Sequence, residues 1–186
     1  MKGKFIIIVG PSTSGKTELV KALLKKVSNS ARLISVTTRT RRPEEKDGVD
    51  YVFISRGEFE KRIKDSEFFE YAEVYGNLYG SSRKVLDSFL RHNAYVFAII
   101  DIQGARTIKF QMPEAYVIFL HPGSIEVVHE RMQKIRTDIS AEQMKKRMET
   151  ARHELSLAET FDAVVDNRRG HFDQAIESVI KILEAL

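Results

Sequence analysis

The sequence is 186 residues long and contains 42% hydrophobic and 30% charged residues, a balance typical of one folded domain with a core. It contains no cysteine, which excludes disulfides and thiolate-bound metal sites. The net charge of +4 is compatible with anionic ligands but identifies none. The N-terminal apolar run covers only residues 5–9, too short for a signal sequence or a membrane span, so we expect a cytoplasmic protein.

The predicted strands are short apolar runs separated by helical patterns. Residues 4–9 are continuous and β-branched, as in a strand buried on both faces, and a second strand is predicted over residues 32–37. Residues 38–50 are predicted to form a polar loop. Residues 75–82, with two glycines and an asparagine, are predicted to form a turn or binding loop. Further strands are predicted over residues 51–54, 68–74, 95–100, 115–120 and 161–165.

Apolar residues at helical spacing predict helices between these strands. Ser55 with Glu58, and Ser140 with Gln143, have the spacing of a capping box and mark the start of two helices. The other helices are predicted over residues 17–27, 82–92, 124–133 and 172–183. Strands that alternate with helices predict a mainly parallel sheet, which binds ligands at the carboxyl ends of its strands.

The segment after the first predicted strand matches the phosphate-binding pattern G-x-x-x-x-G-K-[ST]. Its glycines let successive N–H groups face an anion, and the N-terminus of the following helix adds partial positive charge. The lysine can reach the β- and γ-phosphates of a nucleoside triphosphate, and the threonine hydroxyl can ligate Mg²⁺. The strand–loop–helix context disfavours the alternative, a glycine turn with a solvated lysine. The candidate triphosphate-binding residues are Gly10, Pro11, Ser12, Thr13, Ser14, Gly15, Lys16 and Thr17.

An arginine-rich segment follows the second predicted strand. It contains Arg39, Arg41 and Arg42, and guanidinium groups bind phosphate oxygens through paired N–H donors. Taken alone, the segment is equally compatible with a solvated basic loop or a nucleic-acid-binding patch.

Carboxylates and hydroxyls elsewhere favour a guanine nucleotide. Glu70 and Asp101 adjoin apolar segments, and an ionised carboxylate only accepts hydrogen bonds. The N1–H and N2–H₂ donors of guanine suit such acceptors, whereas adenine presents an acceptor at N1. The hydroxyls of Ser35 and Ser81 can donate to the guanine O6. The argument is chemical, since spacing alone does not bring these residues together.

Taken together, several motifs resemble the guanylate kinase family over essentially the whole chain. In chain order they are Gly10-Pro11-Ser12 with Gly15-Lys16-Thr17, Ser35-Val36-Thr37-Thr38-Arg39 with Arg42-Pro43, Asp47-Gly48 with Asp50-Tyr51, Phe68 with Glu70, Gly76-Asn77-Leu78-Tyr79-Gly80, Asp101-Ile102-Gln103-Gly104-Ala105, and the helix from Lys146-Arg147 onward. Independent motifs in this order are more specific than the phosphate loop alone.

The resemblance implies transfer of the γ-phosphate of ATP, accompanied by Mg²⁺, to GMP or dGMP in purine nucleotide metabolism. It implies contacts to the GMP phosphate from Arg39, Arg42, Tyr51 and Tyr79, and contacts to guanine from Ser35, Glu70, Ser81 and Asp101. The resemblance further implies that Lys16 and Thr17 serve ATP and Mg²⁺ and that Asn167 lies near the adenine. Arginines in or beside the lid would clamp the transferring phosphate: Arg131, Arg136 and Arg147. Catalysis would consist of alignment and charge neutralisation, with Lys16, Arg39, Arg136 and Arg147 as the catalytic set.

The resemblance also implies an α/β fold of the P-loop NTPase type, with a parallel sheet flanked by helices, a small GMP-binding β-region and a helical lid. The single domain 1–186 then comprises a core (1–32, 84–126 and 148–186), a GMP-binding region (about 33–83) and a lid (about 127–147). The expected partners are ATP and GMP or dGMP. We expect a monomer or homodimer that binds no nucleic acid and no membrane.

Three features depart from the family pattern. Thr13 stands where the family's loop usually has glycine, so we expect its φ to be negative. Ile99 stands where the strand often carries an acid. Its consequence is either weaker positioning of the metal or Lys16, or transfer of that role to Asp101. Residues 166–169 are more basic than is usual at this place.

Two other functions are weighed against the kinase. A protein-interaction module of the guanylate-kinase-like type usually has a degraded phosphate loop, whereas Lys16 and Thr17 are intact here. A kinase of another small phosphate, such as a ribose bisphosphate kinase, should lack the guanine-binding set represented by Glu70, Tyr79 and Ser81.

Overall fold

The computed structural model describes residues 3–135 and 139–186. The strands are β1 (Lys4–Val9), β2 (Ser30–Arg32), β3 (Val36–Thr37), β4 (Val52–Phe53), β5 (Phe68–Val74), β6 (Asn77–Ser82), β7 (Tyr95–Ile99), β8 (Tyr116–His121) and β9 (Ala163–Asp166). The α-helices are α1 (Lys16–Lys26), α2 (Arg56–Lys64), α3 (Arg83–His92), α4 (Ile102–Gln111), α5 (Ile125–Ile135), α6 (Ala141–Ser156) and α7 (Phe172–Ala185). A short 3₁₀ turn covers Ala158–Thr160.

The larger sheet has five strands in the order β2-β7-β1-β8-β9. The β2–β7 and β8–β9 pairs are parallel. The central strand is β1, whose apolar side chains from Phe5 to Val9 are all buried, as expected for a strand covered on both faces. The structure therefore confirms the predicted α/β fold with a parallel sheet and helices between its strands.

The smaller sheet has four strands in the order β4-β3-β6-β5, and β6 runs antiparallel to both of its neighbours. Its own apolar cluster contains Val36, Phe59 and Leu78. One strand prediction and one loop prediction were wrong here. Residues 32–37 are divided between β2 in the larger sheet and β3 in the smaller one, and most of residues 75–82 form strand β6 rather than a loop.

The chain forms two compact units. The first contains Asn29–Tyr116 with the chain up to Ile7, and therefore the whole of the smaller sheet with α2, α3 and α4. The second contains Ile8–Ser28 and Val117–Leu186, and therefore α1, β8, β9 and the last three helices. The predicted division into core, GMP-binding region and lid stays a prediction.

Helix starts follow the predicted capping residues. Ser55 accepts a hydrogen bond from the Glu58 backbone N–H, and Ser140 with Gln143 forms both bonds of a capping box. Helix α4 was not predicted, and Asp101 caps its N-terminus. Within the described ranges, no helix is both long and apolar enough to cross a membrane.

Helices α5 and α6 pack against each other as a helical hairpin in the second unit. Their shared apolar cluster contains Val128, Met132, Met148 and Ala151, all buried. This small core joins the two helices that contain most of the predicted lid, residues 127–147. Burial of these side chains stabilises the hairpin because each removes apolar surface from water.

Candidate active site

The structure divides the predicted site residues between the two units. The first unit contains Ser35, Arg39, Arg42, Tyr51, Glu70, Tyr79, Ser81 and Asp101. The second unit contains Gly10, Pro11, Ser12, Thr13, Ser14, Gly15, Lys16, Thr17, Arg131, Arg147 and Asn167. Arg136 lies outside the described residues. The predicted GMP-binding residues and the predicted triphosphate-binding residues therefore belong to different units.

The phosphate loop joins the end of β1 to the start of α1, and its glycines are required by the backbone. Gly10 has a φ of 137°, and a Cβ there would lie 2.7 Å from the Leu120 carbonyl oxygen. Gly15 has a φ of 95°, and its Cβ would lie 2.5 Å from Asn167 Nδ2. No side chain fits at either position without displacing the loop.

Thr13 lies in the left-handed region with a φ of 66°. The expectation of a negative φ was therefore wrong. The loop keeps the conformation that glycine would adopt, although a β-branched side chain is disfavoured there. The loop geometry is imposed by its surroundings rather than by the preference of this residue.

Lys16 folds back onto the loop that precedes it. Its Nζ donates hydrogen bonds to the carbonyl oxygens of Gly10 at 2.7 Å and Pro11 at 2.8 Å. Burial lowers the pKa of Lys16 to about 8, while the carboxylates of Glu154 and Glu18 act to raise it. An ammonium group held against the phosphate loop is positioned to bind the phosphates of a nucleotide.

Two side chains from later in the chain hold the phosphate loop in place. The buried Asn167 donates from Nδ2 to the Ser14 carbonyl oxygen at 2.7 Å. Arg131 on α5 donates to the Thr13 carbonyl oxygen at 3.3 Å and to the Asn167 carbonyl oxygen at 3.1 Å. The predicted roles of Asn167 near adenine and Arg131 on phosphate stay predictions, since both side chains are engaged with backbone here.

Thr17 lies in the first turn of α1 and offers a hydroxyl oxygen, the hard ligand type that Mg²⁺ prefers. Among the described residues, no group of three or more His, Cys, Asp or Glu side chains could hold a metal ion. The donor set therefore fits a magnesium ion held by one hydroxyl, water and nucleotide phosphates, and does not fit an all-protein metal cage.

Arg147 lies on α6 and is half-buried beside Met148 of the helical hairpin core. Its role in clamping the transferring phosphate stays a prediction.

The arginine loop, residues 38–51 of the first unit, is tied to the smaller sheet by threonines. Thr37 Oγ1 donates to the Leu78 carbonyl oxygen at 2.9 Å and accepts from the Arg39 backbone N–H at 3.2 Å. Thr38 Oγ1 accepts from the Leu78 N–H at 2.9 Å. These bonds fix the point at which the predicted phosphate-binding arginines leave the sheet.

Aromatic rings surround the Arg39 guanidinium. The rings of Tyr51 and Tyr79 meet edge to face with centroids 5.9 Å apart, and the Arg39 Cζ lies 5.5 Å from the Tyr51 centroid. Burial raises the pKa of Tyr51, so its hydroxyl stays a neutral donor near pH 7. The structure thus brings together Arg39, Tyr51 and Tyr79, and the fourth residue predicted to hold the GMP phosphate, Arg42, shares Glu45 Oε1 with Arg39.

The predicted guanine-binding residues include two neighbouring carboxylates. Glu70 on β5 is buried, and a Cβ on Gly104 would lie 2.7 Å from Glu70 Oε2 and 3.2 Å from Asp101 Oδ2. Both carboxylates therefore border the same point on α4. Asp101 Oδ1 accepts from the N–H groups of Gln103 and Gly104, which fixes the orientation of this carboxylate.

The buried position of Glu70 changes its acidity. Burial raises the pKa of Glu70 to about 7, the nearby Asp101 charge raises it further, and the Ser81 hydroxyl acts to lower it. Ser81 Oγ is itself buried and forms no hydrogen bond of ordinary geometry with the described residues. Ser35 is also buried. A ligand that donates to Glu70 and accepts from a hydroxyl would satisfy these groups.

Three residues near these sites were not among the predicted ones. The buried Glu45 binds Arg39 and Arg42, Gly104 leaves room for Glu70, and Glu154 supports the charge on Lys16. The position of Glu45 close to three arginines in the sequence is a signal from which its role could have been predicted. No sequence signal points to Glu154, which lies 138 positions after Lys16.

The family model described as guanylate kinase matches residues 2–186. Guanylate kinase from Thermotoga maritima is 38% identical over 185 residues, which cover 100% of this chain and 88% of that protein. Guanylate kinase from Vibrio parahaemolyticus is 42% identical over 186 residues, with 99% of this chain and 88% of that protein covered.

Solved structures agree with the sequence comparison. The crystal structure of guanylate kinase from Anaplasma phagocytophilum matches with a TM-score of 0.79 and 30% identity, over 99% of this chain and 86% of that chain. Shikimate kinase from Bacteroides thetaiotaomicron matches with a TM-score of 0.52 over 97% of this chain and 98% of that chain, at 14% identity, which supports the fold alone. The chain therefore belongs to the guanylate kinase family.

Proposed function

We propose that this protein transfers the γ-phosphate of ATP to GMP, and also to dGMP, giving ADP and the nucleoside diphosphate. It is then a nucleoside monophosphate kinase. The observation that carries the proposal is the buried Glu70 carboxylate beside Asp101. A buried carboxylate beside a half-buried one suits a ligand with adjacent N–H donors, and the Watson–Crick edge of guanine provides them.

On the donor side, the phosphate loop and Lys16 bind the triphosphate. Lys16 exchanges its two carbonyl partners for phosphate oxygens, and the negative charge of the phosphates raises the pKa of its ammonium group. Thr17 is the side chain that would hold Mg²⁺ together with the nucleotide phosphates. When bound, the ion neutralises charge on those phosphates.

On the acceptor side, Arg39, Arg42, Tyr51 and Tyr79 bind the GMP phosphate. This phosphate is already a nucleophile, so the reaction needs alignment more than a general base. Arg131, Arg136 and Arg147 are proposed to neutralise the charge on the transferring group. Exclusion of water at this stage would suppress hydrolysis of ATP.

The family's full-length match and the intact Lys16 and Thr17 give no support to a catalytically silent interaction module. A kinase of another small phosphate is disfavoured because such a substrate leaves Glu70, Ser81 and Asp101 without ligands.

The direct test gives the purified protein Mg-ATP with GMP, dGMP, AMP, UMP or CMP in separate reactions and measures ADP and diphosphate formation. We expect turnover with GMP and dGMP and little with the other three. Absence of turnover with both guanine nucleotides would contradict the proposal. Comparable turnover with AMP would show that Glu70 and Asp101 do not select the base.

A further inference from the structure

Phe110, near the end of helix α4, is the most exposed large apolar side chain in the part of the chain that the structure describes. It is 90% exposed. The opposite face of the same helix is anchored by the buried Ile102, Ala105 and Ile108. A phenyl ring in water forgoes the free energy that its burial would supply, so a surface that covers Phe110 would gain that free energy.

The exposed face of α4 has the composition of a contact surface. Its exposed residues are Gln103, Arg106, Thr107, Phe110 and Gln111, and their spacing of three and four places them along one side of the helix. Arg106 is the only charged member of this set. The solvated face of a helix usually carries several charges, whereas the centre of a protein interface is poor in charge and enriched in aromatic residues and arginine.

A well-ordered turn follows the helix and carries the opposite charge. The Met112 N–H donates to the Ile108 carbonyl oxygen at 2.7 Å, and the Ala115 N–H donates to the Met112 carbonyl oxygen at 3.0 Å. Lys109 Nζ also donates to the Ala115 carbonyl oxygen at 2.8 Å. These bonds hold the turn at the end of α4, and the exposed Glu114 is therefore fixed there.

Opposite charges thus lie at equal sequence distances on either side of Phe110. Arg106 precedes it by four residues and Glu114 follows it by four, and both are exposed. This arrangement is self-complementary. If two copies of α4 lie antiparallel about a twofold axis at Phe110, the rings meet at the axis and each Arg106 faces Glu114 of the second copy. A parallel arrangement would instead place like charges opposite each other.

The start of helix α3 extends this surface. Arg83 Nη2 donates to Gln111 Oε1 at 3.2 Å, and the Arg83 Cζ lies 5.9 Å from the centroid of the Phe69 ring. These contacts hold the first turn of α3 beside the end of α4. Val85 lies in that turn and is also exposed. The candidate surface is therefore larger than one aromatic ring.

We propose that the exposed face of α4 and the turn after it bind a second copy of this chain, antiparallel about a twofold axis at Phe110. The proposal goes beyond the proposed function and does not depend on it. One helix face and one turn from each copy form a small interface, and small interfaces are usually weak. The dimer should therefore depend on protein concentration.

Sedimentation equilibrium of the full chain tests this between about 1 μM and about 1 mM protein. The wild-type protein should pass from monomer to dimer over this range. Phe110→Ser should raise the dissociation constant of the dimer about tenfold or more, because each dimer loses two rings. Tyr71→Ser removes an exposed ring from strand β5 and is the matched control, which should stay within about twofold of wild type.

A charge exchange tests the antiparallel arrangement. Arg106→Glu and Glu114→Arg each place like charges opposite each other in the dimer, so each should raise the dissociation constant severalfold. The double variant restores opposite charges and should return the dissociation constant to within about twofold of wild type. Such rescue is specific to pairing between these two positions. Circular dichroism confirms that each variant is folded.

Three results would overturn the proposal. The first is a wild-type protein that stays monomeric up to about 1 mM, which would leave Phe110 exposed or available to a different protein. The second is dimerisation of Phe110→Ser as tight as that of wild type, which would place the contact elsewhere. The third is a double charge variant that associates no more tightly than the single variants. Absence of GMP phosphorylation would contradict the proposed function alone, because sedimentation does not depend on turnover.

Discussion

The phosphate loop and the arginine loop, which are both proposed to bind phosphate, are built by different means. The first, Gly10 to Thr17, uses backbone N–H groups and one lysine, and its shape depends on two glycines whose Cβ atoms would clash. The second uses side chains alone, and its shape depends on the buried Glu45 and on threonines that bind strand β6. Local constraints differ between the two: the phosphate loop tolerates few residue types at its glycines, whereas the arginine loop is ordered by contacts of its side chains. Both loops also depend on a partner that is distant in the sequence, Asn167 for the first and Leu78 for the second.

The largest expected effect on turnover is at Lys16, whose ammonium group no backbone N–H of the phosphate loop can replace. Lys16→Ala should lower kcat by about a hundredfold or more, because it removes a donor aimed at charge that develops in the transition state. Steady-state turnover with Mg-ATP and GMP checks this. Lys25→Ala, an exposed lysine on the same helix, is the matched control and should be close to wild type. Turnover of Lys16→Ala near the wild-type rate would mean that the loop does not bind the transferring phosphate.

Glu70 gives the acceptor side a pH dependence of its own. Guanine needs the ionised carboxylate, and burial raises the pKa of Glu70 to about 7 in the empty protein. The affinity for GMP should therefore rise with pH and level off above about pH 8, with about tenfold weaker binding at pH 6 than at pH 8.

Protonation of the GMP phosphate, whose pKa is about 6, adds its own pH dependence. The GMP phosphate adds the same pH dependence to binding by the Glu70→Gln variant, which therefore serves as the control. Its GMP dissociation constant should be higher and should vary with pH only as the phosphate titrates. Identical pH profiles for the two proteins would remove Glu70 from the guanine site.

Gly104 tests how closely helix α4 must approach Glu70. A Cβ at this position would lie 2.7 Å from Glu70 Oε2 and 2.8 Å from Ile100 Cγ2. Gly104→Ala should therefore raise the KM for GMP severalfold with a smaller change in kcat. Gly57→Ala is a matched control, because Gly57 also lies in the first turn of a helix and its Cβ would meet nothing within 4 Å.

Both alanine substitutions replace glycine within a helix and should favour helix formation by up to about 1 kcal/mol. A raised KM in Gly104→Ala alone would therefore reflect crowding of the carboxylate rather than loss of stability. An unchanged KM would show that Glu70 can move aside without affecting the base.

The sequence predicted the features that depend on neighbouring residues and missed those that depend on residues far along the chain. The first strand and the caps at Ser55 and Ser140 depend on neighbours in sequence, and the structure confirms them. The split of residues 32–37 between two sheets depends on pairing partners far along the chain, so the apolar pattern gave no sign of it. The contacts of Glu45 arise only once the loop is folded.

The smallest expected effect is on the free energy of unfolding and concerns Thr13, a residue of the phosphate loop with an unfavourable φ. A β-branched side chain with a φ of 66° carries strain of about 1–2 kcal/mol, which glycine would remove. Glycine also has more conformational freedom in the unfolded chain, and this offsets part of the gain in stability. Thr13→Gly should therefore raise the free energy of unfolding by about 0.5–1 kcal/mol, measured by denaturant titration. Asn29→Gly is the control: Asn29 has a φ of 52°, which asparagine tolerates, so its gain should be smaller. If Thr13→Gly destabilises the protein, the threonine side chain must contribute contacts that outweigh its strain. The loop conformation would then depend on side chains as the arginine loop does.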